Sequence, residues 1–276
     1  MPHTIIVGCD LSHSGPYEQA SSQLDASNRR MIAKSMNLTP LVDMYKKILD
    51  GKIPAFKEES DDYLIINMPA YTMKHPILDV DINEYVSNVL SSDPNEIGRS
   101  KSFFAVVAGV GKGKTRTLVE MQKKLNEVDS IFCLTITFNS QWEYAYDPEI
   151  TVKKGSMLKF MYVTNVVARI ISMNYHIPLF EAWDLLMSGL SDIDVTTKTI
   201  LCLINECVGY IMNQYRSDGK RVNKFVLLVD ECVAIQDELD EYNTMDIHKL
   251  LRNSLLSSPI ILNDGSRLLT DLVMTG

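Results

Sequence analysis

The sequence predicts an α/β fold with a mostly parallel sheet, and three observations carry this prediction. Apolar runs at residues 103–108 and 225–229 have no polar interruption, which is typical of strands buried on both faces. Amphipathic helical patterns separate these runs, as expected for crossover connections between parallel strands. A glycine-rich turn at residues 109–113 joins the first run to the helix after it. We therefore expect a three-layer core, with helices on both faces of the sheet.

Composition excludes several classes of protein. The chain has 276 residues, of which 46% are hydrophobic and 22% are charged, so disordered and low-complexity classes are excluded. The net charge of −8 argues against a broad electrostatic surface for nucleic acid or anionic lipid, although a local basic groove stays open. The five cysteines include no Cys-x-x-Cys pair, which favours a reducing compartment over a disulfide framework.

Targeting signals are missing from the sequence pattern. The apolar stretch at residues 5–7 is too short for the core of a signal peptide. No run approaches the roughly 18 apolar residues of a membrane span. We expect an intracellular protein, cytoplasmic or nuclear, that does not act in a membrane.

Residues 1–98 are predicted to form an N-terminal α+β extension. Helical spacing predicts a helix at residues 41–50, and a short apolar run predicts a strand at 63–68. Asp81 and Glu84 are spaced as a capping box, before a helix that runs through Leu90.

A polar segment at residues 91–100, with Pro94 and Gly98, is typical of a linker. We place the boundary here, with the extension at residues 1–98 and the main domain at 99–276. The main domain ends where one more core strand is expected in such a fold, so we expect either a C-terminally incomplete fragment or a degenerate or unusually short member.

The main domain opens with a β-α-β unit. The strand at residues 103–108 is followed by a helix, and then by a strand at 131–138 that is rich in β-branched and aromatic residues. The helix carries its apolar side chains on one face: Leu118, Met121, Leu125 and Val128.

A helical insertion is predicted between the second strand and the strand at residues 225–229. It covers residues 141–223 and contains three helix candidates, at 158–172, 179–187 and 199–215. The last of these has an apolar stripe formed by Ile200, Ile204, Cys207, Ile211 and Tyr215. A further helix at 245–256 and a final strand at 268–274 complete the pattern.

Residues 108–115 read Ala-Gly-Val-Gly-Lys-Gly-Lys-Thr and match the phosphate-loop pattern Gly-x-x-x-x-Gly-Lys-Ser/Thr, with Ala108 in place of the first glycine. The alternative is a structural turn without a ligand, but the buried strand before the motif and the helix after it favour phosphate binding. Glycines let backbone N–H groups turn toward phosphate oxygens, and the positive end of the helix points the same way. The residues predicted to contact the nucleotide are Ala108, Gly109, Val110, Gly111, Lys112, Gly113, Lys114, Thr115 and Arg116.

Four side chains have individual predicted roles. Lys114 is expected to reach the β- and γ-phosphates, and Thr115 to place its hydroxyl on Mg²⁺. Asp230 follows the apolar run at residues 225–229 and is expected to bind the same Mg²⁺, directly or through a water molecule. Glu231 is expected to orient and deprotonate the attacking water. Alone, an Asp-Glu pair at a strand end is usually a solvated turn; its coincidence with the phosphate loop favours a catalytic role.

These two motifs resemble the Walker A and Walker B motifs of P-loop NTPases. The Asp-Glu ending is similar to the branch with an additional catalytic glutamate, which includes AAA-type and STAND-type ATPases. The resemblance covers roughly residues 99–276. It implies a three-layer P-loop core that uses ATP and Mg²⁺, with Lys114 and Glu231 as catalytic residues. ATP is preferred to GTP because no Asn-Lys-x-Asp guanine motif is present.

A narrower resemblance is carried by residues 103–118, 136–140 and 167–170. These segments are similar to the ATPase domain of retrotransposon-hot-spot and Crinkler-type proteins, which are P-loop proteins of eukaryotic microbes. Some of those act as effectors, but this N-terminus does not show the usual Crinkler translocation header.

Secondary site candidates lie at other strand ends. The resemblance places a polar sensor after the strand that follows Walker B, and Thr275 stands there; a frayed terminus is the alternative. Asn139 ends the second strand and either lines the same crevice or caps it. Candidates for an arginine finger are Arg169, Arg252 and Arg267, each of which is otherwise a surface ion-pair residue.

Three functions follow from these residues. The first is Mg²⁺-dependent ATP binding and hydrolysis, used as a switch or in assembly. The second is a nucleotide-binding interaction module with little or no turnover, and the third is a small-molecule kinase. A protein partner, or self-association, is expected through the N-terminal extension or the helical insertion.

Overall fold

Secondary structure in the computed structural model follows the predicted order of strands and helices. The strands are β1 (Thr4–Val7), β2 (Phe104–Val107), β3 (Ile131–Thr137), β4 (Lys224–Asp230), β5 (Ile260–Ile261) and β6 (Arg267–Thr275). The helices are α1 (Ile82–Leu90), α2 (Lys114–Asn126), α3 (Met157–Tyr175), α4 (Thr197–Ser217) and α5 (Ile247–Leu256). The structure describes residues 4–7, 81–91, 103–107, 113–138, 157–175, 179, 182–183, 186, 197–230, 247–256 and 259–275. The helix predicted at residues 41–50 and the strand predicted at 63–68 lie outside these ranges.

The central sheet has the strand order β1-β2-β6-β4-β3. Strands β2, β6, β4 and β3 run parallel to one another, while β1 runs antiparallel to β2. The short β5 pairs with β6 in an antiparallel hairpin off this path. The predicted α/β class with a mostly parallel sheet is therefore confirmed. The order also separates β2 from β4, because β6 lies between them.

Strand β4 shows why its sequence is apolar without interruption. Phe225, Leu227 and Val229 face the helices α3, α4 and α5, whereas Val226 and Leu228 face α1 and α2. All five side chains are buried. Since successive residues of a strand point to opposite faces, a strand covered on both sides alternates between two apolar surroundings. Helices therefore cover both faces of the sheet.

The helical predictions agree closely with the structure. Helices α3 and α4 occupy the segment between β3 and β4, and each extends slightly beyond its predicted range. On α2, the predicted face is buried at Leu118, Met121 and Leu125. Val128 lies two residues past the end of α2 but packs against the same cluster. Residues 179, 182, 183 and 186 are helical, as the pattern at 179–187 predicts.

Helix α1 begins at the predicted cap. The Asp81 Oδ1 atom accepts hydrogen bonds from the backbone N–H groups of Asn83 at 2.9 Å and Glu84 at 3.3 Å. Both α1 and β1 belong to the predicted extension, yet α1 packs on the sheet and β1 pairs with β2. The boundary at residue 98 stays a prediction.

Two further expectations concern cysteines and membranes. Cys133, Cys202 and Cys207 are buried free thiols, while Cys9 and Cys232 lie outside the described residues. Among the helices that the structure describes, none combines the length and apolar character that crossing a bilayer requires.

Candidate functional site

The candidate site lies where the parallel strands β3, β4 and β6 end, beside the first turn of α2. The register pairs Thr137 with Asp230 across β3 and β4, and Val229 with Met274 across β4 and β6. The last residues of the three strands therefore lie at one level of the sheet. Ligands of open α/β sheets bind at this edge, outside the carboxyl ends of the strands.

Asp230 is the centre of the site. Its side chain is fully buried and accepts hydrogen bonds from three threonine hydroxyls. Thr115 donates to Oδ2 at 2.7 Å, Thr275 donates to Oδ1 at 2.7 Å, and Thr137 lies 3.4 Å from Oδ2. These donors replace the water that a buried carboxylate loses, which is otherwise a large free-energy cost.

Thr115 and Asp230 are 115 residues apart in sequence, and the structure brings their side chains into direct contact. Strand β2, which precedes Thr115 in the chain, is not a neighbour of β4, because β6 lies between the two strands. The contact forms because Thr115 lies in the first turn of α2. The two residues predicted to share one metal ion therefore stand together.

Helix α2 begins at Lys114, directly after a glycine in a left-handed conformation. Gly113 precedes the helix with φ 83° and ψ 26°, a left-handed conformation that L side chains adopt at a cost. Its carbonyl accepts from the Thr117 N–H at 2.9 Å and from the Thr117 hydroxyl at 3.0 Å. Among the residues that the structure describes, no side chain caps this end, and no acidic residue lies in the first turn. The positive end of the α2 dipole therefore has no acidic side chain from its own first turn against it.

The structure describes Gly113, Lys114, Thr115 and Arg116 of the predicted phosphate loop, together with Asp230 and Thr275. Thr275, proposed from sequence as a sensor, contacts Asp230 directly. The other predicted site residues lie outside the described ranges: Ala108, Gly109, Val110, Gly111, Lys112, Asn139 and Glu231.

Thr137 belongs to the site but is missing from the sequence-based prediction. It ends β3, two residues before the candidate Asn139. The sequence contains an indication of this residue. A threonine that ends one parallel strand lies at the same edge of the sheet as an aspartate that ends the neighbouring strand. The sequence does not show that Thr137 lies opposite Asp230, since this register depends on the pairing of β3 with β4.

Arg169 supports the end of β3 from α3. Its side chain is 5% exposed, its Nε donates to the Thr137 carbonyl at 3.0 Å, and its guanidinium lies 4.5 Å from the centre of the Phe138 ring. A second nitrogen donates to Asn165 Oδ1 at 3.0 Å. Arg267, another arginine-finger candidate, begins β6, eight residues or roughly 26 Å from Thr275.

The residues present fit a magnesium ion. The Thr115 hydroxyl and the Asp230 carboxylate are oxygen ligands of the kind that Mg²⁺ takes. Their oxygens lie 2.7 Å apart. Neighbouring oxygens in an octahedron with bonds of 2.0–2.1 Å are about 2.9 Å apart. Within the described part of the chain, no group of three or more His, Cys, Asp or Glu residues could hold a metal.

Comparison of the chain with protein-family models, with curated proteins and with solved structures finds no match.

Proposed function

We propose that the chain is a Mg²⁺-dependent P-loop ATPase module with a switch or assembly role. The observation that carries this proposal is the hydrogen bond between Thr115 and Asp230, 2.7 Å long, at the carboxyl edge of a parallel sheet. The phosphate-loop sequence predicts a hydroxyl at Thr115 and the strand ending predicts a carboxylate at Asp230. Two independent sequence signals thus meet at one point in space.

Phosphate binding is assigned to residues 108–116. Gly113 starts α2 in a left-handed conformation, and the first turn of α2 directs its positive end toward the bound anion. Lys114 is the first residue of α2 and supplies a point charge to the β- and γ-phosphates. These contacts hold the triphosphate in one orientation at the sheet edge.

Metal binding is assigned to Thr115 and Asp230. Mg²⁺ bound there supplies positive charge next to the triphosphate oxygens. Thr275 and Thr137 act on Asp230 rather than on the ion: their hydroxyls fix the rotamer of the carboxylate and stabilise its charge in a buried position.

Hydrolysis is assigned to Glu231, which follows Asp230 in the sequence. A carboxylate there accepts the proton of a water that attacks the γ-phosphorus in line with the leaving oxygen.

One observation favours the alternative of a nucleotide-binding interaction module with little turnover. Arg169, an arginine-finger candidate that contacts the end of β3, is buried and already bonds to Thr137 and Asn165. In this conformation it is not directed at a transferring phosphoryl group, so transition-state charge has less stabilisation.

Phosphate release from ATP, measured with and without Mg²⁺, tests the proposal. We expect Mg²⁺-dependent release by the parent chain and its loss in Glu231→Gln, with ATP still bound. Glu127→Gln changes an exposed carboxylate just past the end of α2 and is the matched control. ATP binding without release in both the parent chain and Glu231→Gln would select the interaction module. Release that is equal in the parent chain and in Glu231→Gln would contradict the role of Glu231.

A further inference from the structure

At the outer edge of β3, side chains from neighbouring helices form hydrogen bonds with the strand backbone. Among the strands that the structure describes, β3 ends the strand order, so one side of its backbone faces away from β4. The Phe138 N–H bonds to the Asp230 carbonyl at 3.1 Å, which places the even-numbered residues toward β4. Backbone groups of the odd-numbered residues Cys133, Thr135 and Thr137 therefore point outward.

Side chains from α2 occupy the first two of these positions. The Asn126 amide makes a two-point contact with Cys133: Nδ2 donates to the carbonyl at 3.0 Å, and Oδ1 accepts from the N–H at 2.7 Å. Gln122 Oε1 accepts from the Thr135 N–H at 2.8 Å. One turn of helix separates the two amides, so they reach alternate residues of the strand.

A side chain from α3 occupies the third position. Arg169 Nε donates to the outward carbonyl of Thr137 at 3.0 Å. At the other end of the strand, the Ile131 N–H bonds to the Val128 carbonyl at 2.8 Å within the turn after α2. Helices α2 and α3 cover opposite faces of the sheet, so the edge is covered from both sides.

The sequence of β3 explains why such cover is needed. Its seven residues, Ile-Phe-Cys-Leu-Thr-Ile-Thr, contain no charge and no proline. A β-branched, uncharged strand with open N–H and C=O groups is a template for pairing with another strand. Natural edge strands usually avoid such pairing with lysine, proline or a bulge, and β3 contains neither lysine nor proline.

We propose that Gln122, Asn126 and Arg169 close the β3 edge against a second copy of this chain. The partner excluded is the β3 of another molecule, because an identical strand pairs antiparallel about a two-fold axis and joins two sheets into one. The three side chains bond to four of the six outward backbone groups of Cys133, Thr135 and Thr137, which such a partner would need. This inference does not depend on nucleotide binding.

The test removes the two amides and keeps side-chain size. In Gln122→Met/Asn126→Leu, the helix keeps residues of similar volume, but Cys133 and Thr135 lose their side-chain partners. The matched control Lys123→Met/Glu127→Leu adds similar apolar surface to the same end of α2; Lys123 is 55% exposed and Glu127 is exposed. Sedimentation velocity over a hundredfold concentration range measures the mass of each folded variant.

We expect the double variant to double in mass as its concentration rises, while the control and the parent chain keep one common mass. A folded double variant that keeps the mass of the parent chain at every concentration overturns the proposal. Equal self-association of the double variant and its control also overturns it, because added apolar surface would then be the cause.

Hydrogen exchange of the single variant Gln122→Met covers the case in which the double variant fails to fold. We expect the Thr135 amide to exchange at least tenfold faster than in the parent chain, while the Val226 amide in β4 is unchanged. An unchanged Thr135 rate means that Gln122 does not protect this edge, and the proposal fails.

Discussion

At the scale of single residues, the site depends on the buried carboxylate of Asp230. Asp230 is fully buried, and an isolated charge in such surroundings costs several kcal/mol. Hydrogen bonds to a charged group each contribute about 1.5–3 kcal/mol, so the three threonine hydroxyls offset much of that cost. The same hydroxyls fix the direction of the carboxylate oxygens toward the first turn of α2.

Replacing Thr275 by valine tests the contribution of the threonine hydroxyls that bond to Asp230. Thr275→Val keeps the shape of the side chain but removes the donor to Asp230 Oδ1. We expect the free energy of unfolding in urea to fall by about 1–3 kcal/mol, because a buried charged acceptor loses a partner. Thr270→Val on the same strand is the control, since its hydroxyl makes a 3.5 Å contact to the neutral Leu255 carbonyl. A smaller loss of stability for Thr275→Val than for Thr270→Val would argue against stabilisation of Asp230 by the threonine hydroxyls.

The start of α2 depends on one backbone conformation. Gly113→Ala places a Cβ in open space, so any loss of stability comes from the left-handed backbone and not from a clash. We expect a loss of about 1–2 kcal/mol in urea unfolding. Gly113→Asn is the control, because asparagine tolerates this conformation better, and we expect it to lose less. Equal losses in the two variants would show that the backbone conformation is not the cause.

At the scale of elements, helix α1 is fastened to the sheet by a buried ion pair. Lys224 Nζ donates to the Val89 carbonyl in the last turn of α1 at 2.6 Å and lies 2.6 Å from Asp271 Oδ2. The lysine and aspartate side chains are 8% and 0% exposed. Lys224 thus caps the negative end of α1 and joins it to the start of β4 and the middle of β6.

Removing one partner of this pair should cost far more than removing both. We expect Lys224→Met to lower the free energy of unfolding by about 3–5 kcal/mol, because Asp271 is left buried without its cation. The double variant Lys224→Met/Asp271→Leu should recover most of that loss, since no uncompensated charge remains. Urea unfolding of the two single variants and the double variant measures the coupling. Additive losses would mean that the pair contributes nothing as a pair.

At the scale of the whole molecule, the sheet separates two apolar clusters, and each holds a free thiol. Cys133 lies on the α2 face and Cys207 on the opposite face. Burial raises the pKa of Cys207 to about 12 and holds the pKa of Cys133 well above its usual value. Both thiols are therefore neutral in the folded protein at physiological pH.

These raised pKa values predict a loss of stability in alkali. A thiol ionises near pH 8.5 when unfolded, so its contribution is complete below that pH and is lost as the pH rises toward the folded value. We expect the free energy of unfolding to decline above about pH 8.5. In Cys207→Ala, the decline should be shallower by up to about 1.4 kcal/mol per pH unit. Parallel declines in the two proteins, measured by urea unfolding from pH 7 to 10, would contradict this assignment.

Features that depend on local pattern were predictable from sequence. The apolar run of β4, the stripe on α4 and the Asp81 cap follow from periodicity and capping chemistry within one element. The pairing of Thr115 with Asp230 was also predictable, because each stands in a motif with its own chemical requirement.

Features that depend on the order of strands were not predictable. The sequence does not show that β6 lies between β2 and β4, or that β1 pairs antiparallel with β2. Thr137 and the Lys224–Asp271 pair depend on that order, since their partners come from other elements. A lone charged or hydroxyl residue at a strand end is usually exposed, so pattern alone gives no reason to bury it.

The most direct test of the central claim is calorimetric titration of ATP in Mg²⁺ into the parent chain, Lys114→Ala and the control Lys123→Ala. We predict that the parent chain binds and that Lys114→Ala binds at least tenfold more weakly, a change of about 1.4 kcal/mol or more. The control should match the parent chain, because Lys123 is largely exposed on α2. A folded parent chain that binds no nucleotide, or equal affinity in Lys114→Ala, would contradict the assignment of this sheet edge as a nucleotide site.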